Sequence, residues 1–219
     1  MNQQMFQKDY WELKRSRRSP GHRVIEAFIK PKIEFIENKL GNLSRYKLLD
    51  VGCGNGFFTY YFHKKSFTVG MDFSQYMLSI NPCPIKVHGS ALKLPFKDKS
   101  FDIVFCSNLL HHLQDPFVAV MEMARVSESY VILSEPNRNN PLMLMFCFLK
   151  REERGGLKIS RNYLRHLALQ AQCRVIGEVT LGMILPNVTP IFLLPFLNVF
   201  NQPNPLGFFN LIIVAVSDS

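Results

Sequence analysis

The chain has 219 residues, 47% of them hydrophobic and 12% aromatic, and its net charge is +9. This length and apolar content exclude a disordered chain and favour a single domain, residues 1–219, with a sizeable core. The five cysteines lie far apart and no pair has CxxC spacing, which argues against a disulfide framework or a zinc site. Reduced thiols, and an N-terminus without an apolar secretory stretch, predict a cytoplasmic protein with no bound metal.

The N-terminal segment is basic, with much of the excess positive charge between Lys14 and Lys32. Such a segment can contact nucleic acid, anionic lipid or an acidic substrate, or it can simply be a solvated helix face. The first forty residues are predicted to be helical, because apolar residues recur on one face from Val24 to Ile36. We expect residues 1–44 to form a helical cap on the domain.

From Lys47 onwards, short apolar runs alternate with helical stretches. Strands are predicted at 47–51, 67–71, 84–88, 101–107, 130–134, 174–185 and 208–216, and helices are predicted to begin near 57, 74, 115, 139 and 161. Strands separated by helices form parallel βαβ units. The predicted fold class is therefore α/β, with a doubly wound, mostly parallel sheet and helices on both faces.

The segment LLDVGCGNG, residues 48–56, predicts a ligand-binding turn after the first strand. Glycines are needed where the backbone turns sharply and approaches a ligand, and Gly52, Gly54 and Gly56 follow the strand at a spacing of two. The carboxylate of Asp50 would repel the pyrophosphate of a dinucleotide, but it favours the sulfonium and α-ammonium of S-adenosylmethionine. The GxGxG spacing also differs from the dinucleotide pattern GxGxxG.

The second predicted strand ends in the sequence GMDFS. Asp72 can accept hydrogen bonds from both ribose hydroxyls of a bound adenosine, and Phe73 can lie against the adenine. An acid at this position fits an NAD enzyme equally well. It therefore indicates S-adenosylmethionine only together with Asp50.

Five segments in succession carry a family resemblance: LLDVGCGNG, MDFS, GSALKLPF (89–96), FDIVFCSNLLHHLQDP (101–116) and VILSEPN (131–137). In this order they resemble the motifs of class I S-adenosylmethionine-dependent methyltransferases, and in particular the small-molecule group that includes ubiquinone and menaquinone methyltransferases. The resemblance covers about residues 45–137. It implies a Rossmann-like sheet of seven strands, the last antiparallel, with the cofactor across the carboxyl edge.

Carried over residue by residue, the resemblance implies the cofactor-binding residues Asp50, Gly52, Gly54, Asp72, Phe73, Ser90, Ala91 and Asn108. Asp50, Gly52 and Gly54 would contact the methionine part of the cofactor. Asp72 would accept hydrogen bonds from the ribose hydroxyls, and Phe73 would lie against the adenine. Ser90 and Ala91 would lie at the adenine amino group, and Asn108 near the reaction centre. The family commonly has Asp at the position of Ser90, so a weaker hydrogen bond is expected there.

Methyl transfer from a sulfonium is an in-line displacement that mainly needs alignment and exclusion of water. A general base is needed only when the acceptor arrives protonated. His111 and His112, which follow the fourth strand, are the candidate catalytic residues. A histidine here can instead cap the next helix or bond a loop carbonyl. Asn108 precedes two leucines, so the motif of exocyclic-amine DNA and RNA methyltransferases is missing.

The sequence also predicts positions for three further groups of polar and aromatic residues. Glu135 either lies at the mouth of the substrate site or, as we expect, pairs with Arg138 on the surface. The charged cluster 151–154 is expected to be a solvated turn. Tyr10 and Trp11 either cover the bound cofactor or belong to the core.

The C-terminal part has no Asp, Glu, Lys or Arg between Val179 and Ser217. Its prolines interrupt it too often for a transmembrane helix. It is either two core strands joined by a loop, or an apolar lid, a dimer face or a membrane-contacting surface. We expect the insertions 138–160 and 186–206 to shape the acceptor site, and their apolar content favours a hydrophobic acceptor.

The leading interpretation is methyl transfer from S-adenosylmethionine to a small, hydrophobic acceptor, with S-adenosylhomocysteine as the product. An RNA or protein methyltransferase that uses the basic arm is an alternative, and it predicts salt-dependent nucleic-acid binding. A protein that binds S-adenosylmethionine without catalysis is a second alternative, and a dehydrogenase a third. Nucleic acid is not the expected partner, contact with a membrane surface stays open, and the oligomeric state is not predicted.

Overall fold

The computed structural model describes residues 10–13 and 17–216. A seven-stranded sheet of order β3-β2-β1-β4-β5-β7-β6 forms its centre. The strands are β1 (Lys47–Val51), β2 (Phe67–Asp72), β3 (Lys86–His88), β4 (Phe101–Ser107), β5 (Ser127–Pro136), β6 (Cys173–Leu181) and β7 (Phe209–Val216). The first five strands are parallel, and β7 runs antiparallel between β5 and β6. This confirms the predicted fold class, including the antiparallel last strand.

Helices cover both faces of the sheet. They are α1 (Arg23–Leu40), α2 (Phe57–His63), α3 (Gln75–Ile80), α4 (Pro116–Val126), α5 (Pro141–Leu149), α6 (Arg161–Gln170) and α7 (Leu194–Val199), with short 3-10 segments at Leu43–Arg45, Leu110–His112, Arg151–Lys158 and Ile191–Leu193. Helices α4 and α6 contribute to the core on one face. Helices α1, α2, α5 and α7 contribute to the core on the other.

The central strand β4 shows why its sequence is continuously apolar. Side chains alternate between the two faces of a strand. Val104 and Cys106 therefore join the core under α4 and α6, whereas Ile103 and Phe105 join the core under α1 and α2. All four side chains are completely buried, as a parallel sheet covered on both faces requires.

Three helices begin where the sequence predicts them, because a short polar side chain caps each one. Ser74 accepts a hydrogen bond from the backbone N–H of Met77 at the start of α3. Asp115 and Ser160 cap α4 and α6 in the same way. These side chains satisfy backbone N–H groups that have no partner inside the helix.

The N-terminal forty residues differ from the prediction of one continuous helix. A helical turn at 10–13 is separated from α1 by the non-helical residues 17–22. Helix α1 begins only at Arg23, where the His22 side chain accepts from the N–H of Val24. Lys14 and Arg15 of the basic arm lie outside the described residues.

Strand lengths also differ from the sequence-based boundaries. Strand β5 runs from Ser127 to Pro136, several residues longer than predicted. Strand β6 ends at Leu181 and not at residue 185, because Gly182 adopts a φ of 81° and turns the chain away from the sheet.

Lys32 lies completely buried in α1. Its ammonium donates a hydrogen bond to the carbonyl of Phe28 at 3.0 Å and lies 3.5 Å from the centroid of the Phe28 ring and 4.3 Å from that of Phe209. Burial lowers the pKa of Lys32 well below its ordinary value of 10.5. The charged form of this side chain therefore opposes folding.

We expect Lys32→Met to raise the free energy of unfolding at pH 7 by about 1–3 kcal/mol, because methionine fills similar space without a desolvation cost. Since the folded-state pKa is depressed, wild-type stability should rise with pH towards 10.5, and the variant should lose that slope. Urea unfolding across this pH range measures both effects. Lys30→Met, on the exposed side of the same helix, is the control. An unchanged slope in Lys32→Met would contradict the assignment.

Candidate active site

A cavity of about 720 Å³ opens at the carboxyl ends of the parallel strands. Residues at the ends of β1, β2 and β4 line it, among them Asp50, Asp72 and Ser107. This is the edge at which the strand order reverses between β1 and β4, the usual ligand site of a doubly wound sheet. Its volume suits a nucleoside-sized cofactor together with a small second ligand.

The glycine turn between β1 and α2 forms part of the cavity wall. Gly52, Gly54 and Gly56 have φ values of 71°, 51° and 89°, in the left-handed region that disfavours other residues. A Cβ on Gly54 would meet no protein atom within 4 Å, although the residue lines the cavity. The turn therefore leaves open space where a ligand can approach the backbone. Cys53 within it is buried, and Asn81 Nδ2 contacts its Sγ at 3.4 Å.

Asp72 connects the glycine turn to the end of β2. Its carboxylate accepts hydrogen bonds from the backbone N–H groups of Gly54 and Ser74, both at 2.8 Å. Burial raises the pKa of Asp72, against these two hydrogen bonds and the charge of Arg17, which lower it. Each carboxylate oxygen keeps a further lone pair for a ligand hydroxyl. Phe73, the next residue, also lines the cavity.

Asp50 lies buried in the cavity wall, where its carboxylate accepts a hydrogen bond from Thr59 Oγ1 at 2.6 Å. Burial raises the pKa of Asp50 to about 7, and the nearby charge of Asp72 adds to the shift. A cation beside this carboxylate would stabilise its ionised form. The wall at Asp50 is therefore suited to a positively charged ligand group.

The remaining predicted cofactor residues also line the cavity. Ser90 and Ala91 lie in the segment after β3, and the hydroxyl of Ser90 accepts from the N–H of Leu92 at 3.2 Å. Asn108 follows β4 with a φ of 52°, and its N–H donates to the carbonyl of Ser134. Asn is one of the few residues other than glycine that adopt this conformation readily.

The two candidate catalytic histidines have different surroundings. His112 lines the cavity, whereas His111 is not among the lining residues. The His111 ring lies between two carboxylates, with Nδ1 2.6 Å from Glu135 Oε2 and Nε2 3.1 Å from Glu153 Oε2. These carboxylates outweigh the cost of burial and raise the pKa of His111 to about 10. His111 is therefore a buried cation that links three segments of the chain.

The His112 side chain is neutral. Burial lowers its pKa to about 3, and the adjacent charge of His111 adds to the shift. Its Nδ1 atom is buried without a hydrogen-bond partner among the described residues. The ring lies edge-on to Trp11, with centroids 5.2 Å apart.

The interpretation of Glu135 as a surface partner of Arg138 is wrong. Glu135 is completely buried, and its Oε1 accepts from the N–H groups of Leu109 and Leu110, both at 2.8 Å. Because β5 continues to residue 136, this side chain lies within the sheet, opposite the segment that follows β4. Arg138 is exposed and donates to the carbonyl of Leu157.

The cluster 151–154 is not simply a solvated turn, as the sequence suggested. It belongs to a 3-10 segment that packs beside α5 and the histidine pair. Glu153 is largely buried against His111, which helps to lower the pKa of its carboxyl to about 2. The Tyr10 hydroxyl donates to Glu152 at 3.0 Å. Two of the four charged residues, Glu152 and Glu153, therefore make contacts inside the protein.

The N-terminal segment contributes residues that cover the cavity. Tyr10 and Trp11 line it, as one of the two interpretations from the sequence requires. Arg17 also lines it, with its guanidinium 4.2 Å from the Trp11 ring. Burial lowers the pKa of Arg17, and the negative charge of Asp72 acts in the opposite direction and raises it. In the sequence, Arg17 is one of several basic residues of the N-terminal segment, and no local pattern distinguishes it from them.

The other wall of the cavity is apolar. Its side chains come from α1, from α5, from the segment after β6 and from β7: Phe28, Met143, Phe146, Leu185, Val188 and Phe209. Both expected insertions contribute to this wall, through α5 and through residues 186–188. The cavity therefore combines a polar half at the strand ends with an apolar half beneath the helices.

We expect His111→Gln to lower the free energy of unfolding by about 3 kcal/mol near pH 6, because two buried carboxylates lose their cation. The folded-state pKa is raised from 6.5 to about 10, so this contribution is complete below pH 6.5 and is lost as the pH rises through 10. Denaturant unfolding at several pH values measures the difference. His166→Gln, at an exposed position of α6, is the control. A loss that stays constant from pH 6 to 10 would refute the charge assignment.

Residues 49–133 match the family model of a methyltransferase domain. An uncharacterized methyltransferase of Schizosaccharomyces pombe is 33% identical over 150 residues, which are 59% of this chain and 48% of that protein. Demethylmenaquinone methyltransferase of Staphylococcus haemolyticus is 34% identical over 111 residues, 46% of each chain. The chain thus spans about half the length of these relatives.

Solved structures share the fold over nearly the whole chain. A methyltransferase of Thermotoga maritima aligns with a TM-score of 0.68 at 19% identity, covering 89% of this chain and 92% of that one. Magnesium protoporphyrin IX methyltransferase of Synechocystis, with bound S-adenosylhomocysteine, aligns with a TM-score of 0.66 at 14% identity, covering 99% and 100%. The solved structures show that this chain shares the fold of methyltransferases, and residues 49–133 are similar to the methyltransferase domain and, with the relatives, to the demethylmenaquinone methyltransferases.

Proposed function

We propose that the chain transfers the methyl group of S-adenosylmethionine to a small, apolar acceptor held in the same cavity. The observation that carries this proposal is the division of the cavity into a polar half at Asp50 and Asp72 and an apolar half around Phe146 and Phe209. The likeness to enzymes named for demethylmenaquinone supports an apolar acceptor. The basic N-terminal arm gives less support to RNA, since Arg17 is turned into the cavity wall.

We assign the cofactor to the polar half. Asp50 would receive the α-ammonium, and the open space beside Gly54, next to Gly52 in the cavity wall, would receive the methionine chain. Asp72 would accept the ribose hydroxyls with the lone pairs that Gly54 and Ser74 leave free. The chemistry of these residues fits a cationic ligand that carries a ribose and no phosphate.

The adenine end and the reaction centre follow from the same placement. We assign Phe73 and Ala91 to the faces of the adenine and Ser90 to its amino group. The Ser90 hydroxyl already accepts from Leu92, which leaves it a weaker acceptor than a carboxylate. Asn108, at the end of β4, is assigned to the boundary between cofactor and acceptor.

The chain's own residues would align the two ligands and exclude water. The bound cofactor supplies an activated methyl group as its sulfonium. Trp11 and Arg17 would cover the site from the N-terminal side. We assign to the neutral ring of His112, which lines the cavity, a hydrogen bond with the acceptor's O–H or N–H group. His111 acts only as a positioning residue.

We place this reaction in the cytoplasm. All five cysteines are free and buried, which suits a reducing compartment.

Calorimetric titration with S-adenosylhomocysteine, with NAD as the comparison ligand, tests the cofactor. We expect binding of the first and none of the second. Asp72→Ala should weaken the binding by about a hundredfold, because the ribose hydroxyls lose a charged acceptor. Asp98→Ala, an exposed carboxylate paired with Arg125, should leave it unchanged. Equal affinity of Asp72→Ala and the wild type would show that the adenosine is misplaced.

Transfer of a labelled methyl group tests the acceptor. The panel contains a prenylated hydroquinone, a water-soluble phenol, RNA and a basic protein, and we expect the prenylated hydroquinone to be preferred. Phe146→Ser should raise the KM of this acceptor at least about tenfold with the affinity for S-adenosylhomocysteine unchanged, because the change removes apolar contact. Met121→Ser, on α4, is the control.

Two outcomes would contradict the acceptor proposal. Salt-dependent transfer to RNA would favour the nucleic-acid alternative. Binding of S-adenosylhomocysteine with no transfer to any acceptor of the panel would favour a non-catalytic role.

A further inference from the structure

The chain exposes large apolar side chains on α5 and on the segment 191–200. We call them the apolar surface: Leu142, Leu144, Met145, Phe148, Leu149, Ile191, Phe192, Leu193, Phe196, Val199 and Phe200. The exposed fraction reaches 76% at Phe192 and 64% at both Phe148 and Phe196. Scattered apolar side chains are normal on a protein surface, but two short segments that each expose five or more large apolar side chains and pack on the same core mark a contact with another apolar body.

The elements that carry this surface are anchored from beneath. Met143 and Cys147 of α5 and Leu194 of α7 are buried in the same core on one face of the sheet. The Asn201 side chain donates to the carbonyl of Ala27 in α1, and that of Asn140 donates to the carbonyl of Leu206. The exposed apolar side chains therefore belong to folded elements that are anchored to the body of the protein.

The charges beside the apolar surface are mostly positive. The stretch from 182 to 208 has no charged residue, and the stretch from 137 to 160 has Arg138, Lys150, Arg151, Arg154 and Lys158 against Glu152 and Glu153. Both glutamates make internal contacts, with Tyr10 and His111. Lys150, Arg154 and Lys158 are exposed.

We propose that the apolar surface inserts into the interfacial region of an anionic lipid bilayer. Apolar side chains bordered by basic residues are the combination that holds a protein at such an interface, with the basic residues attracted to acidic headgroups. None of the described helices is long and apolar enough to cross a bilayer, so the contact is with one leaflet. This binding does not depend on the proposed reaction.

Charge favours lipid over a second copy of the chain as the occupant. A second copy would carry the same basic residues beside its own apolar surface, so its charge would not complement that of Lys150, Arg154 and Lys158. Anionic headgroups would neutralise the same residues.

The cavity opens beside this surface. Phe146 and Lys150 line the cavity and belong to, or directly follow, the exposed helix α5. Residues 185–188 line it on the side of the 191–200 segment. If the proposed function holds, an apolar acceptor can pass from the lipid to the site without crossing bulk water.

Flotation with phosphatidylcholine vesicles, with and without phosphatidylglycerol, tests the proposal on the full chain. We expect binding that increases with the anionic lipid and weakens with salt. The triple variant Phe148→Ser, Phe192→Ser, Phe196→Ser should lose about a hundredfold or more in partitioning, because three exposed rings no longer enter the interface. The matched control replaces three exposed apolar residues elsewhere by serine, Ile80, Met121 and Leu169, and should bind like the wild type.

A second pair of substitutions tests the electrostatic part. Arg154→Gln and Lys158→Gln should each reduce binding to the anionic vesicles by about fivefold and leave binding to neutral vesicles unchanged. The triple phenylalanine variant should bind S-adenosylhomocysteine as the wild type does, which separates failure of this proposal from failure of the proposed function.

Three outcomes would overturn the proposal. The first is a wild type that does not float with anionic vesicles. The second is an equal loss of binding in the matched control. The third is a dimer in light scattering that the triple variant abolishes while vesicles capture neither protein, since the occupant would then be a second copy.

Discussion

The buried carboxylate of Glu135 is the contact on which the geometry of the candidate site depends. It accepts from two consecutive N–H groups after β4 and from the ring of His111. A buried carboxylate without partners is unstable, so these three donors must stay in place whenever the protein is folded. The second ring nitrogen of His111 contacts Glu153. This contact holds the 3-10 segment beside α5 in place. The positions of Asn108 and His112 at the cavity thus follow from one ionic contact at the end of β5.

The two halves of the cavity have separate origins in the fold. The polar half comes from turns at the carboxyl ends of β1, β2 and β4, where the chain leaves the sheet and its N–H groups need partners. The apolar half comes from α1 and α5 and from the start of β7, which enters the sheet from the opposite direction. A reversed last strand therefore brings Phe209 to the same edge as Asp72. The polar half takes its residues from outside α5, and this separation lets one fold keep its cofactor while its second ligand varies.

The sequence predicted most of the sheet and the polar half of the cavity, because their signals are local. A buried strand, a glycine turn and an acid after the next strand lie within a few dozen residues, and all eight residues assigned to the cofactor line one cavity. Glu135 and Arg17 were misjudged because their contacts are distant in the chain. Arg138 is three residues from Glu135, whereas the true partner His111 is twenty-four residues away and becomes visible only from the length of β5. Arg17 looks like its basic neighbours until the fold places it near the charges of Glu153 and Asp72.

The thiol of Cys53 is a possible target of methylation in a protein that binds an alkylating agent. Its thiol lies in the turn beside the space that we assign to the methionine chain of the cofactor, and a thiolate there would be a competent nucleophile. Burial, with the charges of Asp50 and Asp72, raises the pKa of Cys53 well above its ordinary value. The sulfur therefore stays protonated, and a protonated thiol attacks a methyl donor only weakly. The carboxylates that attract the cofactor thus also protect the chain from methylating itself.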